Sequence, residues 1–406
     1  MKAVAILLAF VAGMVMLLSL STTFGVFSGG PDDESMVGRN TGEFILIEGP
    51  DNTLASIAEK IRDPEIFFYD PDKRTANSTT SLVIEGRLRL GDPDDPTVQE
   101  ILELDTQVCG DLQLDVREGG ELAVYNSSIS TRSRIITTGA CTRGYMLKVA
   151  GKLTMDHGTL QYPSGSLPSA GILETGQVVL RDANFTECDG TALRFNNADG
   201  GNISIDRCTF ASSGEWGLHA SGRSEEPIVV RDCVLDAKYG VVNMYGDVAI
   251  RMVDCQFDKA KIKFTRPTGR VQVTWTLDVK VDPGPNAGSV AGLRVVASSA
   301  EGVGIAETVE AVTDQAGHAR LVLTEWVATP ESAGASEGEN DSTPHTFKVY
   351  APSVSEPVAV LATPVRVYGK GQQVTITLPQ TRADAGNRRR GGRTPAPRLR
   401  PRASPS

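Results

Sequence analysis

Between Val83 and Val273 the chain repeats one short pattern of apolar and polar positions: a glycine, one intervening residue, then two large apolar residues separated by a single position. It occurs at Gly86 (Leu88, Leu90), Gly120 (Leu122, Val124), Gly151 (Leu153, Met155), Gly176 (Val178, Leu180), Gly201 (Ile203, Ile205) and Gly269 (Val271, Val273). Two further copies lack the glycine, Ile228 with Val230 and Ile250 with Met252. The steps between first apolar residues are 34, 31, 25, 25, 25, 22 and 21. A period of two inside each phrase predicts a strand with one buried face. A longer period between phrases predicts a solenoid, in which each turn buries its apolar row only by stacking on the next.

From Leu122 to Ile250 each phrase continues with two turn residues, a small residue, an outward residue and another large apolar one, as in Asp206-Arg207-Cys208-Thr209-Phe210 and Val253-Asp254-Cys255-Gln256-Phe257. Ile203, Ile205, Cys208 and Phe210 should therefore point inward, on two strands that belong to different sheets. Coils stacked about 4.7 to 4.9 Å apart would satisfy each other's backbone groups. The stretches Ile203 to Phe210 and Ile228 to Leu235 resemble the right-handed parallel β-helix superfamily that includes pectate lyases, over roughly residues 80–275. The resemblance implies the fold. It does not choose an activity, because enzymes and non-enzymes share the ladder. The rival is a β-sandwich of short, evenly spaced strands.

An open β-helix needs caps at both ends. Phe44 to Ile47 reads as a strand, and Leu54, Ile57, Ala58 and Ile61 share one helical face after the N-cap candidates Asn52 and Thr53, so residues 43–80 are expected to cap the 81–274 helix. Beyond it, residues 275–379 carry strand patterns at Val273 to Val281, Ala291 to Ala297, Glu307 to Val312, Ala319 to Leu323, Thr346 to Tyr350, Thr363 to Tyr368 and Gln373 to Leu378. They predict a small antiparallel β-sandwich. The segment Thr313-Asp-Gln-Ala-Gly-His-Ala-Arg-Leu321 is similar to a hairpin of carboxypeptidase-regulatory-like and immunoglobulin-like modules. The expected fold class is all-β, a right-handed parallel β-helix followed by that sandwich.

Lys2 precedes an apolar run from Ala3 to Leu20, and Asp32, Asp33 and Glu34 follow it. Basic before and acidic after places the remainder outside the cytoplasm, secreted or anchored, with residues 1–25 as a cleaved signal peptide or an uncleaved membrane anchor and 26–42 as a polar linker. Six cysteines and sequons at Asn77, Asn126, Asn184, Asn202 and Asn340 are compatible with that compartment. The net charge of -10 conceals a split. The tail 380–406 has eight arginines and one aspartate, and the rest has 32 basic against 49 acidic residues. An acidic body argues against nucleic acid as a partner of the folded part. The Arg/Pro-rich tail has no periodicity and reads as disordered.

The turn residues form a ladder: Asp156, Arg181, Asp206, Arg231 and Val253 in the first position, His157, Asp182, Arg207, Asp232 and Asp254 in the second. Alternating signs across stacked strands stabilise by about 0.2 to 1 kcal/mol per pair. Alternation fails between Asp232 and Asp254, a spacing that suits paired carboxylates working on a glycan. With Arg207 and Arg231 beside them, these are the candidate catalytic residues of a polysaccharide lyase or glycoside hydrolase. Calcium is implied only for the lyase, and otherwise no cofactor is expected. The other reading is a non-catalytic binding or structural module for glycans or cell-surface partners, with Trp216 and Tyr245 as candidate sugar-stacking residues. Cys208, Cys233 and Cys255 share one inward slot, where parallel Cβ bonds favour a reduced stack over bridges and no metal is expected. Cys109 and Cys141 are one coil step apart and are candidates for a disulfide. The four histidines, His157, His219, His318 and His345, show no triad and are expected to be exposed polar groups.

Overall fold

The computed structural model describes residues 44–379 apart from 106–111, 132–144, 162–169, 189–190, 214–215, 239, 285–287, 302–303 and 332–340. The N-terminal signal or anchor, the linker, the Arg-rich tail and the Cys109–Cys141 pair lie outside the described residues. Among those residues, no helix is long and apolar enough to cross a membrane.

The chain is a parallel β-helix whose coils each contribute one strand to three sheets. Sheet A has nine strands, from Phe44–Ile47 through Leu193–Asn196, Trp216–Ser221 and Gly240–Met244 to Ile262–Phe264. Sheet B carries the repeated phrases, from Arg87–Leu90 to Ala249–Val253, and sheet C the strands that follow each turn, from Thr75–Ser78 to Val234–Ala237. Pairing within the coils is parallel and in register. Leu153 meets Val178, which meets Ile203, and Leu160 meets Phe185, which meets Phe210. These rows are buried and form one continuous core. The rings of Phe185 and Phe210 stack there with centroids 4.9 Å apart. Sheet A supplies the third wall with the same alternation, Leu193 on Leu218 and Phe195 on Ala220.

The two kinds of corner have different causes. Between sheets A and B the backbones of successive coils nearly touch: a Cβ on Gly120 would lie 2.2 Å from the Ile84 carbonyl oxygen, and one on Gly151 2.2 Å from that of Arg117. This close approach explains the glycine of the repeated phrase. Between sheets B and C the second turn residue is left-handed in six successive coils, at Asn126, His157, Asp182, Arg207, Asp232 and Asp254, with φ between 49° and 55°. Asn and Asp tolerate this region best, and they fill four of the six places. Each of these residues still donates its N–H to the next coil, as Arg207 does to the Arg231 carbonyl at 2.9 Å.

At the N-terminal end a short helix and a hairpin pack against the first coils. Helix Leu54–Ile61 starts at a capping box in which Thr53 Oγ1 accepts from the Ser56 N–H at 3.3 Å and Ser56 Oγ from the Thr53 N–H at 3.0 Å. It inserts Leu54 and Ile57 into the core. Strand Phe67–Asp70 pairs antiparallel with Thr75–Ser78 and covers the free edge of sheet C.

At the other end, strand Arg270–Asp282 belongs to both parts of the molecule. Its first half pairs with the last sheet B strand of the helix, and its second half builds a second core. Strand His318–Ala328 runs antiparallel along its length and so caps sheet B. A register shift between Val273 and Thr274 leaves Glu325 as the extra residue, and its Oε2 accepts from Trp275 Nε1 at 2.7 Å. The second core lies between this sheet and a four-stranded one made of Arg294–Ser299, Thr308–Val312, His345–Tyr350 and Ala359–Val360. One of its pairings, Gln372–Thr377 with Arg270–Asp282, is parallel.

Two expectations require correction. Residues 363–368 do not form a strand. Pro364 interrupts them, leaving a single bridge between Val365 and His345. The histidines are not all exposed. His345 is fully buried, with Nε2 3.3 Å from Glu307 Oε2, and His219 is partly buried on sheet A. Burial alone would raise the Glu307 pKa, but hydrogen bonds from His345 and Thr324 hold it below the usual carboxylate range.

Candidate functional site

The ladder is present as the turn spacing predicts, with Asp156, Arg181, Asp206 and Arg231 in register on successive rungs. Arg207 forks onto Asp182, donating from Nε to Oδ1 at 2.9 Å and from Nη2 to Oδ2 at 2.8 Å, and also pairs with Asp206. The hydrogen bond from Arg207 holds the Asp182 carboxyl below its ordinary pKa. Asp156, His157 and Asp182 bring one nitrogen and two carboxylates within 4.8 Å of one another, but Arg207 already occupies both oxygens of Asp182. The Asp232 to Asp254 step, where alternation breaks, is the junction with the second core. Lys370 pairs with Asp232 and so adds the missing cation to the ladder. Asp254 accepts from the Thr276 N–H at 2.7 Å and from its hydroxyl. Both carboxylates thus fasten the C-terminal part to the helix. The hydrogen bond to Asp232 raises the Lys370 pKa.

Cys208, Cys233 and Cys255 are buried thiols, and their sulfurs donate to main-chain oxygens, Cys208 to Asp206 at 3.3 Å, Cys233 to Arg231 at 3.0 Å and Cys255 to Val230 at 3.3 Å. Cys233 is pushed up to about 12: its hydrogen bond with Cys208 acts downward, and the one with Cys255 together with burial outweighs it. These are unreactive core groups.

The outer face of sheet A has a different character, which the repeated phrase does not reveal. Its central row reads Lys148, Gly171, Arg194, His219, Asn243 and Lys263 on consecutive rungs. From Lys148 onward none of these is acidic, although the rung before Lys148 carries Asp115 and the body as a whole is strongly acidic. Arg194 is oriented by its neighbour, donating from Nε to Asn196 Oδ1 at 2.8 Å, while Ser221 Oγ donates to the same oxygen at 2.9 Å. This leaves the outer edge of the guanidinium open. Thr265 Oγ1 donates to Asn243 Oδ1 at 2.7 Å, which turns the Asn243 amide nitrogen toward His219 Nδ1, 3.4 Å away.

Both aromatic candidates border this row. Trp216 pairs with Gly240 at the start of the strands, and a Cβ on Gly240 would lie 1.9 Å from the indole, so only glycine lets the ring lie there. Tyr245 stands five residues after Gly240, about 16 Å along the strand direction. Each ring carries a cation. Lys263 Nζ is 5.4 Å from the Trp216 centroid, and the Arg266 guanidinium carbon is 4.9 Å from that of Tyr245 while its Nη2 donates to the phenol oxygen at 3.0 Å. Among the described residues, Arg194, Lys263 and Arg266 form no ion pair with a carboxylate. A cation held against a π face keeps its full charge, whereas one in a salt bridge is neutralised. The face therefore presents net positive charge with open donors, which is the chemistry of an anion site.

No family model matches the chain, and no curated protein matches it significantly. Among solved structures it is similar to the periplasmic alginate epimerase AlgG, with a TM-score of 0.39 and 10% identity over 59% of this chain and 66% of that one. The fold assignment rests on the strand topology above.

His219 burial is the other feature that sequence reasoning missed. Burial, and then the charge of Arg194, lower its pKa to about 4. It is uncharged at neutral pH, and its Nε2 is buried with no partner.

Proposed function

We propose that this is an exported or surface-anchored β-helix that binds anionic glycan chains on the outer face of sheet A without cleaving them. The observation that carries the reading is the set Arg194, Lys263 and Arg266, whose cations are held by an amide and two aromatic rings and not by carboxylates. The apolar run Ala3 to Leu20 supports placing the body outside the cytoplasm. The second core, which resembles immunoglobulin-like modules at Thr313 to Leu321, serves as a spacer. The helix supplies a rigid surface on which Lys148, Arg194 and Lys263 are two and three coils apart, roughly 10 and 14 Å at about 4.8 Å per coil.

The test is binding of full-length protein to a polyuronate, a sulfated polysaccharide, neutral dextran and single-stranded DNA. Both anionic glycans should bind in a salt-dependent way and dextran should not. The double variant Arg194→Gln, Lys263→Gln should weaken binding about tenfold, two cations at roughly 0.7 kcal/mol each. Equal binding of the double variant, or preference for DNA, contradicts the reading.

A polysaccharide lyase at the same face is the second reading. It is favoured by one feature: His219, on the rung next to Arg194, is uncharged at neutral pH. Unsaturated products from a polyuronate, abolished by His219→Gln, would replace the non-catalytic reading with this one.

A further inference from the structure

We propose that anion binding on sheet A is coupled to uptake of a proton by His219, so that the face holds its ligand more tightly in acid. The inference rests on the binding reading above and adds its regulation. His219 is at the middle of the row, with Arg194 on the rung before it and Asn243 on the rung after. Its ring stacks on Tyr245 with centroids 6.1 Å apart and planes 27° from parallel. The Asn243 amide nitrogen only donates, so the His219 Nδ1 beside it is the acceptor and the proton of the neutral ring is on Nε2.

The charged and titratable groups around the ring are Arg194 on the preceding strand, Tyr245 at the end of the following one, and Lys263 and Arg266 beyond it. All the fixed charges are positive. Burial, and then the charge of Arg194, disfavour the imidazolium and place its pKa at about 4. A bound polyanion offsets both effects, and the added proton enters at Nδ1, where it displaces the Asn243 amide. The polyanion neutralises Arg194, and it supplies a counter-charge to an imidazolium that otherwise lacks one. By linkage, the factor by which the ligand raises the proton affinity of His219 equals the factor by which the proton raises ligand affinity. At neutral pH the face binds through its fixed cations, and in acid His219 adds a further charge at the centre.

The experiment measures the affinity of the full-length protein for dextran sulfate, whose groups remain ionised throughout. It runs from about pH 7.5 to about pH 4.5 at constant ionic strength, with circular dichroism confirming the fold. General titration of surface carboxylates also strengthens polyanion binding in acid, so the quantity compared is the excess of wild type over His219→Gln. The expected result is a wild-type gain about threefold larger than that of the variant, the value that a free pKa of about 4 and a bound pKa about one unit higher give at about pH 4.5. An NMR titration of wild type should show the His219 pKa rising by about one unit when dextran sulfate is bound. Identical pH slopes, or a His219 pKa unmoved by ligand, overturn the coupling while leaving the binding reading intact. Absence of binding at every pH overturns both. If His219→Gln fails to fold, the NMR titration of wild type decides alone.

Discussion

Replacing Phe210 by alanine removes a fully buried ring that stacks on Phe185 of the preceding coil at 4.9 Å. Truncating such a side chain costs about 3 to 5 kcal/mol, of which the ring pair supplies about 0.5 to 1.5. Thr209, one position earlier, pairs in register with Asn184 and Val234 on the outer face of sheet C. Its replacement by alanine should change stability by no more than about 0.5 kcal/mol. The contrast tests the register itself, since a slip by one residue exchanges every inward side chain for an outward one. Equilibrium urea unfolding of the two variants, followed by circular dichroism, is the assay. With a slope of about 3 kcal/mol/M, Phe210→Ala should lower the midpoint by about 1 M or more, and Thr209→Ala should leave it almost unmoved. A loss below about 1 kcal/mol for Phe210→Ala, or a larger loss for Thr209→Ala, would refute the inward assignment and with it the stacked rows.

Lys370→Ala leaves Asp232 and Asp254 without their cation at the junction, and it should lower the melting temperature slightly at low salt and hardly at all at high salt, because the pair is exposed and screened. His219 predicts a pH dependence of stability. Its folded pKa of about 4 lies below the ordinary 6.5, so as pH falls through that window the unfolded chain takes up a proton that the folded chain refuses, and stability drops. The gap of about 2.5 pH units at about 1.4 kcal/mol each, cut to roughly half because the ring is only partly buried, gives about 1 to 2 kcal/mol. Urea midpoints of wild type and His219→Gln between these pH values should diverge by that amount, and parallel curves would contradict the burial of the ring.

The sequence is legible where the chain turns corners of constant length. The two-residue turn between sheets B and C keeps the phrase from Ile203 to Phe210 in one frame, so its inward rows and its charge ladder can both be read directly. Sheet A escapes the same reading because the spacing before its strands changes along the helix: Leu193 and Leu218 each lie 11 residues after the second turn residue, but Val242 lies 10 and Ile262 8 residues after it. A signal was nevertheless present. Arg194, His219, Asn243 and Lys263 follow one another at 25, 24 and 20 residues, close to the steps of the phrase itself. The left-handed column at the corner was also encoded, in the Asn and Asp residues at the second turn position, although charge alone drew attention there. The Asp232 and Asp254 step could not be interpreted locally. Its partner Lys370 is 138 residues away and arrives only when the C-terminal part folds back on the helix.

The most direct measurement of the central claim is hydroxyl-radical footprinting of the full-length protein with and without a sulfated polysaccharide. Trp216 and Tyr245 should lose reactivity together when the glycan is bound. Phe68 on the capping hairpin and Tyr368 in the C-terminal part, both exposed, should keep theirs. Protection of Phe68 or Tyr368 with Trp216 and Tyr245 unchanged would place the ligand elsewhere and contradict the assignment of sheet A as the binding face.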